Sequence, residues 1–399
     1  MADGPRLTAL GKIFIFLFVI LCVGGAYYTF NNNKLSKPKS SPSAGGMFDS
    51  LTGSGEQVEV GIAYGTEKQR WLEWAVQEFG KTRDGKRIKI NLIPMGSLEG
   101  AHALLNGDQR IQVWCPASAL YKDIFVEEWQ VKYGQNPILK EEPIALSPMV
   151  FVMWDERYQA FVQKYKTLSF VTVGQALQEK GGWDAIAQKP DWGLFKFGHT
   201  HPNESNSGLM TIVLAAYSYQ KKTKDLQVKD VVDVGFQTWM QGLERAVSGL
   251  SNSTGNMMKE MVLKGPSSYD VMFVYESVAI DYLKNAEGRW GQLRIVYPEY
   301  NSWNENPYYI IDASWSSKEQ RKAAETFLAF LLTEPIQKES LTHGFRPANP
   351  NVPVKFPESP FVKYADYGIK VDLAKICDPP RAEVVNNLLQ SWQRSQANR

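Results

Sequence analysis

Residues 10–28 form a nearly unbroken apolar run in which Lys12 is the only charge. The run has about the 20 residues that a helix needs to cross a bilayer. Tyr27 and Tyr28 close it, where aromatic rings favour the membrane–water interface. A cleaved signal peptide and a retained anchor both fit such a segment. The run is longer than a usual signal core, and Gly24, Gly25 and Ala26 lead into bulky tyrosines rather than a small-residue cleavage site. Residues 1–30 are therefore expected to be a transmembrane anchor or signal, with the anchor favoured and an N-terminal transmembrane helix the result. Beyond it the apolar pattern stops. Residues 31–56 are rich in Ser, Pro, Gly and Lys, cannot bury enough surface to fold, and read as a flexible linker.

From residue 57 the pattern is that of a folded α/β chain. Residues 58–63 alternate weakly as a strand. Residues 68–80 carry Trp71, Leu72, Ala75, Val76 and Phe79 on one helical stripe. A strand at 88–93, a helix at 98–105 and a strand at 111–114 repeat the motif, with Asn106 and Gly107 as the helix stop. Such repeats predict a parallel sheet with ligand loops at the C-terminal ends of its strands. Residues 144–154 form a long apolar strand able to cross between lobes. A second α/β unit follows, with helices near 172–180, 208–220, 236–247 and 256–263 and strands at 269–276 and 293–298. Residues 306–311 carry the chain back, and 317–332 form an amphipathic helix with Ala323, Phe327, Phe330 and Leu331 inward. These two long apolar strands bracket an independent unit. The expected division is lobe one at 57–147 and 307–375, lobe two at 148–306, and a C-terminal helix within 376–399.

The turns say more than the strands. Thr66 and Ser97 each follow a glycine and precede a helix. Ser205, Asn206 and Ser207 stand before the apolar run 209–217, and Thr254 stands in a polar turn before a fourth helix. At each junction the first N–H groups of the helix lack an internal partner and carry partial positive charge. A hydroxyl beside them makes a cradle for an anion or polar ligand. One such junction is ordinary capping. Three or four in one α/β chain are what a polar-ligand pocket requires.

Composition narrows the function. A chain of 399 residues can build two cores, and 12 Trp, 18 Tyr and 19 Phe suit both cores and ligand walls. The net charge is +2, but five of the 44 basic residues and one of the 42 acidic ones precede residue 47, so the remainder carries −2. That is no footprint for nucleic acid. His199 and His201 alternate, yet Pro202 follows and no cysteine or carboxylate cluster lies near, so no metal site is expected. Ser205, Ser207 and Thr66 lack a nucleophile elbow, four histidines leave few choices for a triad, and no phosphate loop or dinucleotide fingerprint occurs. No catalytic residue, no cofactor and no enzyme activity are expected. Cys115 and Cys377 either pair in an oxidising compartment or stay as buried thiols, the commoner case for two lone cysteines.

Six stretches then carry a resemblance. They are Tyr64-Gly-Thr-Glu-Lys, Met95-Gly-Ser-Leu-Glu, Val113-Trp-Cys-Pro-Ala-Ser, Ser205-Asn-Ser-Gly, Val274-Tyr-Glu-Ser and Gly344-Phe-Arg-Pro, in this order across residues 57–350. Together they resemble an extracellular solute-binding protein of the type II periplasmic-binding fold. The nearest branch is that of molybdate- and sulfate-binding proteins, some of which are associated with von Willebrand A domains. The resemblance implies two lobes joined by two crossing strands, with the ligand in the cleft. It implies contacts from Thr66 and Ser97 on the first lobe, and from the Ser205, Asn206 and Ser207 loop, Thr254 and Tyr275 on the second. Glu276 departs from the pattern. Its carboxylate would repel an oxyanion, bind a cationic part of the ligand, or turn away to pair with Arg289, Arg294 or a lysine. The implied function is a membrane-anchored solute-binding protein, held through residues 10–28 with its soluble part outside the cytoplasm. It would capture a small polar or anionic solute by lobe closure for an ABC transporter permease or a von Willebrand A-domain partner. The alternative is a scaffold or interaction module that kept the fold and lost the ligand.

Overall fold

The strand and helix repeats condense into two sheets. The computed structural model describes residues 57–373 and 375–397. The expected anchor at 10–28 and linker at 31–56 lie outside the described residues. No helix among the described residues is long and apolar enough to cross a membrane.

In chain order the strands are β1 (Val58–Tyr64), β2 (Ile88–Pro94), β3 (Val113–Cys115), β4 (Ile138–Pro143), β5 (Ala145–Trp154), β6 (Phe197–Gly198) and β7 (Val271–Tyr275). There follow β8 (Leu293–Val296), β9 (Tyr300–Asn301), β10 (Trp303–Asn304), β11 (Pro307–Ile311), β12 (Arg346–Pro347) and β13 (Lys375–Ile376). The helices that matter for the site are α1 (Gln69–Lys81), α2 (Ser97–Leu105), α3 (Asn206–Gln220), α4 (Thr254–Lys264) and α5 (Glu276–Ala286). Two more, α6 (Lys318–Leu331) and α7 (Ala382–Ala397), complete the frame.

The first sheet has the order β2-β1-β3-β11-β4. Its first three strands are parallel, as the repeats predict, while β11 enters antiparallel between β3 and β4. The apolar stripe of α1 buries Trp71, Leu72, Ala75 and Phe79, and α6 buries Ala323, Phe327 and Leu331. Phe79 meets Phe327 edge-on at 5.1 Å. Each of the Leu and Phe side chains among them, fully buried, contributes about 1.5–3 kcal/mol.

The second sheet is organised on β5, buried along nearly its whole length. It pairs antiparallel with β7, β8, β10 and β12, and β6 lies parallel on β7. Helix α3 is buried from Asn206 to Tyr217. Being apolar all round, it has no solvent face and sits inside the second lobe. The C-terminal helix α7 packs on α3 and on the turn at 119–121 of the first lobe. Trp392 anchors it, donating its indole N–H to Glu244 at 2.7 Å and packing 4.6 Å from the His201 ring.

The structure departs from the sequence reading in three places. Residues 360–376 do not join the first sheet: Arg294 donates to the Asp366 carbonyl at 2.9 Å, and β13 pairs with β9. Helix α5 begins at Glu276, where the pattern read a strand tip. The helices at Lys122–Tyr133 and Asp155–Tyr165 were not foreseen, because their few core anchors are scattered among charges. Cys115 and Cys377 are free and buried, and burial pushes the Cys115 thiol up to about 11.

Candidate functional site

All four polar turns become helix entries. Gly65 leads into a short turn at Thr66–Lys68 and then α1, and Gly96 caps α2. Ser205 caps α3, and the Ser253 side chain caps α4 by accepting the Asn256 N–H. The first two stand at the C-terminal ends of β1 and β2, so the parallel sheet aims them the same way. The other two belong to the second lobe and face them.

The polar side chains converge. Ser207 Oγ lies 2.6 Å from both the Thr200 and Thr254 hydroxyls, and Ser205 Oγ lies 3.3 Å from it. Asn206 Nδ2 donates to Tyr275 Oη and Asn304 Oδ1, each at 3.1 Å. Burial pushes the Tyr275 phenol well above its ordinary pKa, so it stays a neutral donor and acceptor. Two hydroxyl contacts cross the cleft. Ser118 donates to Asn206 Oδ1 at 2.7 Å, and Thr66 Oγ1 lies 2.9 Å from Ser253 Oγ.

A third crossing contact uses backbone. The Glu204 carbonyl of the second lobe accepts the Leu98 and Glu99 N–H groups at 3.2 and 3.4 Å. These are the free donors at the head of α2. Gly96 makes this approach feasible, since a Cβ there would lie 2.3 Å from the Glu204 oxygen. Ser97 turns its hydroxyl inward and accepts the Ala117 N–H at 3.1 Å. It supports the first-lobe wall and makes no contact with the second-lobe cluster.

Glu276 turns to a partner of its own. It is fully buried and does not join the hydroxyl cluster. Arg346 grips both carboxylate oxygens at 2.8 Å, and Tyr297 donates to Oε1. Burial pushes its pKa up against the opposing pull of the guanidinium. The partner is Arg346, not Arg289 or Arg294.

The hinge holds groups that local patterns did not reveal. Asn301, Asn304 and Asn306 each bind the β5 backbone through their side-chain amides, at Met149, Ser147 and Ala145. Asn306 has φ 45°, a left-handed conformation that asparagine tolerates better than most residues. Its Oδ1 accepts from Lys68 Nζ at 3.0 Å. Lys68 is fully buried and also donates to Glu67 and the Pro116 carbonyl. The first lobe thus reaches the hinge through Lys68, and the second reaches it through Asn206. A polar triplet two or three residues apart is the only signal the sequence offered.

Two chambers flank the cluster. One, of about 420 Å³, opens beside Thr66 between α1 and the pair α4 and α5. The other, of about 210 Å³, opens beside Ser118 against Met210, Leu214 and Trp303.

Solved structures share this architecture. The sulfate-binding protein SubI from Mycobacterium tuberculosis H37Rv superposes with a TM-score of 0.52 at 15% identity, over 86% of this chain and 99% of that chain. AfuA from Actinobacillus pleuropneumoniae, a periplasmic binding protein with fructose-6-phosphate bound, gives 0.58 at 12% identity, over 85% and 99%. Iron-bound HitA from Pseudomonas aeruginosa gives 0.53 at 15% identity, over 85% and 99%. These likenesses establish the two-lobe periplasmic-binding-protein fold. No curated protein matches by sequence. The family model for bacterial extracellular solute-binding proteins matches residues 60–346, from β1 through both sheets to the Arg346 that holds Glu276, and the chain belongs to that family.

Proposed function

We propose that this protein captures a small polar or anionic solute between its lobes and delivers it to an ABC transporter permease, anchored in the membrane through residues 10–28. What carries the reading is the meeting of Thr66, Ser118, Asn206, Ser207, Thr254 and Tyr275 between two sheets, at helix N-termini from both lobes. Their bonds across the cleft make closure favourable, and closure encloses a solute in the adjoining space. Each bond is worth about 0.5–1.5 kcal/mol net, so a handful suffices to bias a hinge.

Native mass spectrometry of the gently purified full-length protein tests the reading, through a retained small-molecule adduct. Ser207→Ala removes a hydroxyl that two others approach at 2.6 Å. It is expected to weaken solute retention by about 1–3 kcal/mol, since buried partners lose their hydrogen bonds. Ser218→Ala, at the far end of α3, should leave retention unchanged. Equal loss in both variants would remove the cluster from the site.

A second reading has its own observation. The donors at the head of α2 are already taken by Glu204. A scaffold that holds its lobes together without a solute, and presents them to a von Willebrand A-domain partner, would have that feature. No adduct in native spectra, together with a melting temperature indifferent to every solute class, would favour it.

A further inference from the structure

We propose that the chamber of about 420 Å³ takes a zwitterionic organic solute the size of an amino acid or dipeptide, rather than an inorganic oxyanion. The inference rests on the solute-binding reading and names the ligand class of that cleft. An oxyanion at the head of α2 would need its free N–H groups, but the Glu204 carbonyl occupies them. No room remains, since even a Cβ on Gly96 would lie 2.3 Å from that oxygen. Ser97 Oγ is turned to the Ala117 N–H, and the Ser207 hydroxyl is enclosed by Thr200 and Thr254. At the head of α2 and at Ser207, the protein's own groups thus occupy positions an oxyanion would use.

The neighbouring chamber is built otherwise. Arg70 of the first lobe pairs with Asp281 of the second at 3.1 Å and lies 4.9 Å over the Tyr282 ring. Glu67 is paired with the buried Lys68. With those pairs set aside, the first-lobe wall presents the Glu73 carboxylate, which also accepts the Gln69 amide at 2.8 Å, and the second-lobe wall presents Lys259 and Arg289. The two walls thus carry opposite charge. Val262, Val278 and Tyr282 supply an apolar side. An ammonium end meets Glu73, a carboxylate end meets Lys259 and Arg289, and an aliphatic body lies along the apolar side. A solute with a single charge satisfies one wall and leaves the other short of a partner. The volume falls within the roughly 300–1,000 Å³ of small-molecule sites.

Calorimetry on the full-length protein tests this with four probes. They are the zwitterion L-alanyl-L-leucine, the anion N-acetyl-L-leucine, the cation L-leucinamide and sodium sulfate. The dipeptide should bind at least tenfold more tightly than each of the other three. Lys259→Glu and Arg289→Glu should each weaken it at least tenfold. Glu73→Gln should weaken the dipeptide and leave N-acetyl-L-leucine unaffected. These side chains are largely exposed, so the variants are expected to fold, and circular dichroism confirms it. Sulfate or a single-charge analogue binding as tightly as the dipeptide overturns the inference while solute binding stands. No heat from any probe, with a retained adduct in native spectra that carries one charge or none, does the same. No heat and no adduct overturn both readings together.

Discussion

Arg346→Met should destabilise the protein by about 3–5 kcal/mol, the range measured when one partner of a buried ion pair is removed. Glu276 is wholly inaccessible, and Arg346 is its bidentate partner at 2.8 Å. Without the guanidinium, the carboxylate must stay charged without compensation or take up a proton. Arg346 also donates to the Lys370 and Val371 carbonyls and stacks on Trp303 and Phe361, at 5.1 and 5.2 Å. Its loss therefore frees the segment at 360–376 as well as orphaning a charge. Glu276→Gln should cost less, because the neutral amide keeps one acceptor for the guanidinium. In the double variant the charge penalty disappears, so the loss should be smaller than the sum of the two single losses. Urea unfolding of the four proteins measures this. An additive result would mean that the pair acts as two independent contacts. Solute affinity should follow stability only weakly, since neither group lines the cluster.

Gly96→Ala is the other large effect, and it acts on shape rather than on folding. The new methyl carbon would stand 2.3 Å from the Glu204 carbonyl oxygen, far inside van der Waals contact. Overpacking of this kind costs about 1–3 kcal/mol. The two N–H bonds to Glu204 are strained or lost with it, at about 0.5–1.5 kcal/mol each. Both penalties vanish once the lobes part, because the clash exists only between them. The variant should populate an open form, seen as a larger radius of gyration in solution scattering. The Leu98 and Glu99 amides should also exchange faster with solvent. Unfolding free energy should change by far less than closure does. Scattering identical to that of the parent would mean that the Glu204 loop yields instead, and that it does not hold the cleft shut.

Much of this was legible along the chain. The first three strands, α1, α2, α3 and the hydroxyls at their entries follow from local period and capping chemistry, which need only neighbours in sequence. The grouping of Asn206, Ser207 and Thr254 is expected from the same junctions repeated, and Tyr275 joins them only through what the family resemblance implies. What escaped depends on partners far away. Lys68 finds Asn306, and Glu276 finds Arg346, across folds that no window of residues contains. Glu276 was read as the tip of a strand because the apolar run ends there, whereas the carboxylate opens a helix whose first turn is buried. Ser97 is expected to face the ligand, and its oxygen accepts the Ala117 N–H, held close by β3, a partner that no local pattern announces. Asn301, Asn304 and Asn306 look like loop polarity in one dimension and become rungs on β5 only when the hinge is assembled.

The place of β11 in the first sheet sets the order in which the protein can be made. Among the described residues β4 pairs only with β11, and β3 takes β11 on its second edge. At cellular rates the stretch from Pro143 to Pro307 takes on the order of 10–30 s to synthesise. Throughout that interval β3 and β4 expose hydrogen-bonding edges that invite mispairing. The second sheet, whose strands other than β12 are all made before β11, can begin to assemble meanwhile around β5 and β7. Only then does the returning strand slot in and seal the first. A ribosome stalled before residue 307 therefore holds a nascent chain whose second sheet lacks only β12 and whose first sheet is still open along a seam.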